Sequence, residues 1–181
     1  QMRGICIMKT SYVKQYYSQA LFELLKKKTL QEISITDLVA KAGASRASFY
    51  RNYNSKEQII EEYLETVFGD INRRHQFKAE NMRSEVRSIF EDLYENRYTL
   101  SILSRAGQLD LIDCYLYRET LDQIQHLDVL NNKYQPYFFA GATSALIKAW
   151  IQFDFAESPK EMTEIFFRSL AGYMMLPQPE N

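Results

Sequence analysis

Cysteine is nearly missing from this sequence, with Cys6 and Cys114 the only two in 181 residues. Two thiols cannot build a disulfide framework, so the fold must be held by burial. Glycine and proline are also scarce, at six and four, and Pro177 and Pro179 both lie in the last five residues. So few breaks disfavour a strand-and-turn architecture and favour long helices. No apolar run approaches the roughly 18 residues of a membrane helix, and the opening Gln-Met-Arg-Gly-Ile-Cys-Ile-Met is too short for a signal peptide. A cytoplasmic protein with no membrane partner is expected. Gln1 stands ahead of two candidate start residues, Met2 and Met8, so residues 1–8 are not assigned to the fold.

Chemistry is thinly represented as well. The only histidines, His75 and His126, have no Cys, His or carboxylate at a metal-ligand spacing, so both read as structural and no metal is expected. Cys114, between Asp113 and Tyr115, reads as a packed thiol in a buried helix. No glycine-rich phosphate loop, Walker lysine or nucleophile elbow occurs. Neither an enzyme nor a cofactor is expected.

What the chain does have is apolar mass and a lopsided charge. Apolar residues make up 46%, enough for a sizeable core, and the spacing throughout is helical, so the fold class is all-α. The net charge is −1, yet residues 1–56 hold ten Lys or Arg against three Asp or Glu, while the remainder holds twelve against twenty. A basic first third on an acidic body fits a protein that meets a polyanion at one end.

The most informative stretch is residues 34–56. Ser34 followed by Asp37 is a capping box that starts a helix, and Leu38, Val39 and Ala42 give that helix an apolar side. Gly43 suits the left-handed stop, and Ser45 is the next N-cap, leaving a turn of three to four residues. In the second helix Phe49 and Tyr53 form the buried edge, which turns Arg46, Ala47, Tyr50 and Arg51 outward. A helix in a major groove needs small residues near base edges, a bidentate donor for guanine, and hydroxyl or basic groups for phosphates.

Ala42-Gly43-Ala44-Ser45, then Phe49-Tyr50-Arg51-Asn52-Tyr53 and Ser55-Lys56-Glu57, resembles the TetR family of bacterial transcriptional regulators. The family pattern carries Leu, His and Phe where this chain has Phe49, Asn52 and Tyr53. The resemblance implies base reading by Arg46, Ala47 and Arg51. It implies phosphate contacts from Ser34, Thr36, Ser45, Ser48, Tyr50, Asn52 and Lys56. Lys56 stands at the start of a helix, where the dipole disfavours a cation, which fits a phosphate duty.

Around this unit, residues 10–28 read as a covering helix with Val13, Tyr17, Ala20, Leu21, Leu24 and Leu25 inward. Lys26-Lys27-Lys28 offsets the dipole at its end rather than meeting DNA. Residues 55–74 form a fourth helix, with Ile59, Ile60, Tyr63, Val67 and Ile71 on its buried side. Five more are expected near 82–96, 98–106, 108–125, 133–155 and 159–175, with a loop at 126–133 and a Ser158-Pro159 start to the last. The resemblance implies that these helices, about nine in all, divide into a three-helix DNA-binding domain at 9–56 and a larger effector-binding and dimerisation domain at 57–176.

Gly141, Ala145 and Ala149 form a smooth stripe at i, i+4 and i+8, suited to close approach of a second helix, with Phe138 beside it. The resemblance implies a four-helix dimer interface from the last two helices, including Phe138, Gly141, Ala145, Ala149, Ile165 and Leu170. Tyr137-Phe138-Phe139-Ala140-Gly141 through Trp150-Ile151, then Ser158-Pro159-Lys160-Glu161-Met162, is similar to a subgroup common in low-GC Gram-positive bacteria. Aromatics at helical spacing are mostly core, but the resemblance also implies an effector pocket, for which Phe90, Tyr94, Tyr98 and Tyr115 are the candidates. The expected function is a homodimeric repressor on palindromic double-stranded DNA, released by a small-molecule effector whose chemistry the sequence does not specify. Two alternatives stand beside it: a co-activator of the same fold governed by a protein partner, and a small-molecule-binding helical bundle without DNA binding.

Overall fold

The computed structural model describes residues 12–75, 80–125 and 132–174. Among them are nine helices and no strand: α1 Tyr12–Leu25, α2 Ile35–Ala42, α3 Arg46–Asn52, α4 Glu57–Arg74, α5 Met82–Glu95, α6 Arg97–Arg105, α7 Leu109–Ile124, α8 Gln135–Gln152 and α9 Pro159–Met174. The all-α expectation holds, and each expected helix is found within a few residues of its expected bounds. The first eight residues, His126 and all but the last two residues of the expected loop at 126–133 lie outside the described residues.

α1 packs on α2 and α4, and α4 runs on to pack against α7, so α4 belongs to both halves of the molecule. Seven of its residues are buried, Leu64 and Phe68 as well as the five expected, because its apolar positions recur around more than one face. One continuous core runs from Tyr17 to Met162 without a gap at the 56/57 boundary. Val13 departs from expectation. It is 36% exposed beside the exposed Tyr12 and Tyr16, and the packed face of α1 starts only at Tyr17.

The body is centred on Trp150, which meets Phe155 at 4.7 Å, Phe90 at 5.5 Å and Tyr94 at 6.0 Å. Its indole N–H donates to the Glu157 carbonyl (3.0 Å), so the polar handle of this buried ring is satisfied. α7 packs along α8, and α5 along α9. α9 starts at a capping box, as Ser158-Pro159 indicated. The Ser158 N–H donates to the Glu161 carboxylate (2.8 Å), and the Glu161 N–H to the Ser158 hydroxyl (3.3 Å).

α8 stops at Gln152 instead of reaching 155. Asp154 and Phe155 both take φ +57°, and the Phe155 N–H closes back on the Trp150 carbonyl (2.9 Å). Left-handed backbone is costly for residues with a Cβ, and here two side chains hold it. Phe155 is buried against Trp150, and Asp154 accepts two hydrogen bonds from Arg105 (2.7 and 2.8 Å). The same six-to-one closure ends α6 at Gly107 (φ +80°), where glycine meets the geometry without strain.

Candidate nucleic-acid interface

The 34–56 unit has the local chemistry its sequence specifies. The Ser34 hydroxyl accepts from the Asp37 N–H (3.1 Å), and the Asp37 carboxylate accepts from the Ser34 N–H (3.2 Å). That second bond, followed by the Ser34 hydroxyl and Lys28, holds the Asp37 carboxyl below its ordinary value. Gly43 takes φ +64° and the Ala44 N–H reaches the Val39 carbonyl (2.9 Å), so α2 ends in the left-handed closure that glycine permits. Ser45 then caps α3, accepting from the Ser48 N–H (3.1 Å).

The orientation of α3 is set from below by aromatic rings. Phe49 is fully buried, and Tyr17 of α1 meets it edge-on at 5.5 Å and Tyr53 at 6.1 Å. The Tyr17 hydroxyl donates to the Ser45 carbonyl (3.4 Å), linking α1 to the turn. Burial pushes the Tyr53 phenol well up, and Lys14 lies over the Tyr53 ring while pairing with Glu62 of α4 (3.0 Å). Lys14 was not among the expected site residues. Its role depends on α1 meeting α4, which sequence spacing does not reveal.

With Phe49 and Tyr53 inward, Arg46, Ala47, Tyr50 and Arg51 are exposed, Tyr50 to 59%. Neither Arg46 nor Arg51 has an ion-pair partner among the described residues. Arg46 donates to the Thr36 hydroxyl on α2 (2.5 Å), which aims it along the outer face. Ser34, Thr36 and Ser45 are exposed around this face, and Ser48 is half-buried at its edge. The Ser45 hydroxyl accepts from the backbone and keeps its proton to donate.

Two expected phosphate contacts are differently engaged. The Asn52 amide donates to the Ser48 carbonyl within α3 (2.7 Å). The Lys56 ammonium donates to the Leu30 and Ile33 carbonyls, the latter at 2.7 Å. The lysines closing α1 behave as surface charge: Lys26 pairs with Glu23 (2.5 Å), and Lys28 lies 3.6 Å from Asp37.

The four aromatic candidates for an effector pocket do not converge. Phe90 is buried and Tyr94 half-buried in the Trp150 cluster, Tyr98 is 64% exposed beneath Lys26, and Tyr115 stacks on Phe68 and carries Arg118 over its ring. Among the described residues there is an open cleft of about 560 Å³ at the end of α4, lined by Asn72, Arg73, His75, Glu119, Asp122 and Gln123 among others. His75 is buried, with Nδ1 2.8 Å from Glu85 and Nε2 2.7 Å from Asp92. Cys114 is exposed, not packed, because Ile112 and Leu116 take the buried side of α7.

The expected self-association stripe lies on the outside of the chain. Phe138 is 47% exposed, Ala145 is exposed, and Gly141, Ala149, Ile165 and Leu170 are half-buried. A Cβ at Gly141 would meet nothing within 4 Å, so the chain's own packing does not require glycine there. Tyr134, Tyr137 and Phe153 are exposed at 68%, 57% and 71% on the same helix or just past its end.

No helix among the described residues is long and apolar enough to cross a membrane, and none of their His, Cys, Asp and Glu side chains group as metal ligands. Residues 19–63 match the family described as bacterial regulatory proteins, tetR family, and residues 80–172, half of the chain, match a transcriptional regulator C-terminal region. An uncharacterized HTH-type transcriptional regulator of Bacillus subtilis strain 168, YxbF, is 25% identical over 157 residues, covering 81% of this chain. The chain spans about two fifths (41%) of that relative's length. The crystal structure of the TetR family repressor AlkX from Dietzia sp. strain DQ12-45-1b, implicated in biodegradation of n-alkanes, is similar with a TM-score of 0.49 and 15% identity. That match covers 94% of this chain and 97% of AlkX. With a capped helix-turn-helix at one end and both family regions matched in order, this chain belongs to the tetR family of bacterial regulatory proteins.

Proposed function

We propose that the protein is a transcriptional repressor that binds double-stranded DNA as a homodimer, reading a palindromic operator with α3. The observation that carries this reading is the outer face of α3, where Arg46 and Arg51, exposed and without ion-pair partners among the described residues, flank the small Ala47. Arg46 matches the bidentate donor used for guanine, and the Ala47 methyl suits contact with a thymine methyl. The Ser34, Thr36, Ser45, Ser48 and Tyr50 hydroxyls are the proposed phosphate contacts, with Arg51 a second base reader.

The dimer is proposed on the α8 face, where the Gly141, Ala145 and Ala149 stripe is smooth and flanked by exposed aromatics. Two heads related by symmetry double the contacts and select a two-fold site, with half-sites about one helical turn apart, roughly 34–36 Å. Operator release would act through α4, the helix packed on both halves, when a small-molecule effector prefers the conformation in which the heads are out of register.

Selection of bound sequences from random DNA tests the whole reading. Enrichment of an inverted repeat with that spacing is expected. Enrichment of a single half-site would remove the dimer from the account, and no enrichment would remove DNA reading.

A further inference from the structure

We propose that Lys56 is a positioning residue that latches the reading head to α4 and does not contact a phosphate. The proposal rests on the DNA-binding reading above for its effect on affinity, though the latch itself belongs to the DNA-free protein. Lys56 immediately precedes α4, where the helix dipole opposes a cation, and it pairs with no carboxylate among the described residues. Its half-buried ammonium donates instead to the Leu30 and Ile33 carbonyls.

Those two carbonyls belong to the turn between α1 and α2. The turn is closed on itself by Glu32, whose carboxylate accepts from the Thr29 N–H (2.7 Å) and hydroxyl (2.9 Å). It sends the Leu30 and Ile33 side chains into the core, at 2% and 1% exposed. The next residue is Ser34, the cap of α2. Lys56 therefore joins the residue before α4 to the residue before the α2 cap, closing a loop that holds α2, the turn and α3. A shift of the first turn of α4 is transmitted to the start of the reading unit through this tie. An ammonium has three donors, and two are committed here. A phosphate that drew the ammonium away from the turn would release the Leu30 and Ile33 carbonyls.

The test compares full-length Lys56→Met, which keeps the apolar stem, and Lys56→Arg, which keeps the charge, by hydrogen exchange without DNA and by affinity across a salt series. The duplex is one selected from random DNA, or a mixed-sequence duplex if none is selected. The latch predicts faster amide exchange over residues 29–38 in both variants. It also predicts a roughly tenfold weaker affinity in both, with the salt slope unchanged, as expected when a charged hydrogen bond, not a phosphate contact, is lost. Wild-type affinity in Lys56→Arg with a slope lowered by about one unit in Lys56→Met would make Lys56 a phosphate contact and overturn the proposal. Unchanged exchange in both variants would overturn it too. If the wild type binds neither duplex, the DNA reading fails, and the exchange result alone still decides the latch.

Discussion

The reading head and the body of this protein are ordered by different means. In the head, α2 and α3 are eight and seven residues long, and both start at side-chain caps. Helices that short are marginal alone, so the Ser34–Asp37 box, the Gly43 closure and the Ser45 cap fix their ends. In the body, the residues just before α5, α6, α7 and α8 make no side-chain cap hydrogen bond, although Asn132 accepts from the Gln135 N–H at the start of α8 and α9 has a capping box. Their positions come from burial, above all around Trp150. Local chemistry thus sets the angle between α2 and α3, where a docking surface needs geometric accuracy, while bulk packing is sufficient to assemble the body.

The largest expected effect that sharpens this contrast is in the body. Trp150→Ala removes a side chain that is 1% exposed and the partner of the Glu157 carbonyl, and should cost about 3–5 kcal/mol in urea unfolding. A loss as small as that of a surface substitution would mean that the body is not organised around this ring. Gly141→Leu probes the outer stripe. It meets open space within the chain, so monomer stability should hold, while dimerisation measured by sedimentation should weaken by about 1–3 kcal/mol. Full dimerisation would move the interface elsewhere.

In the head, Gly43→Ala places a Cβ at φ +64° with no clash nearby, so its cost should be the backbone cost alone, roughly 1–2 kcal/mol. A neutral result would show that the turn relaxes out of the left-handed region. The smallest effect is that of pH on the caps. The folded-state value of Asp37 is depressed by the Ser34 N–H and hydroxyl, so the unfolded chain binds the extra proton and this stabilisation is lost as pH falls below about 4. Asp37→Asn should therefore lower the urea midpoint at neutral pH and approach the wild type progressively as the pH falls. A gap that widens in acid would contradict the capping role.

The same contrast explains what could be read from the sequence. Caps and left-handed stops are written in single residues, so the bounds of α2, α3 and α9 were legible from Ser34, Gly43, Ser45 and Ser158. The expected end of α8 lies too far along the chain because nothing local marks Asp154 and Phe155 for φ +57°; Phe155 burial and the Arg105 bonds, both made across the fold, stabilise it there. Likewise, the helical spacing of Phe90, Tyr94, Tyr98 and Tyr115 said that each lies on a helix but not which neighbour each ring meets. The partners of Lys56 were equally hidden, since a lysine's reach to carbonyls 26 and 23 residues away depends on tertiary contact.

Everything proposed for function depends on the outer face of α3 reading bases, and Arg46→Ala measured against a selected duplex and a random one tests that most directly. Binding to the selected duplex should weaken by about 1–3 kcal/mol while binding to random DNA changes little, so that the ratio between them shrinks. Equal weakening on both duplexes would contradict base reading by Arg46 and reduce its role to backbone charge.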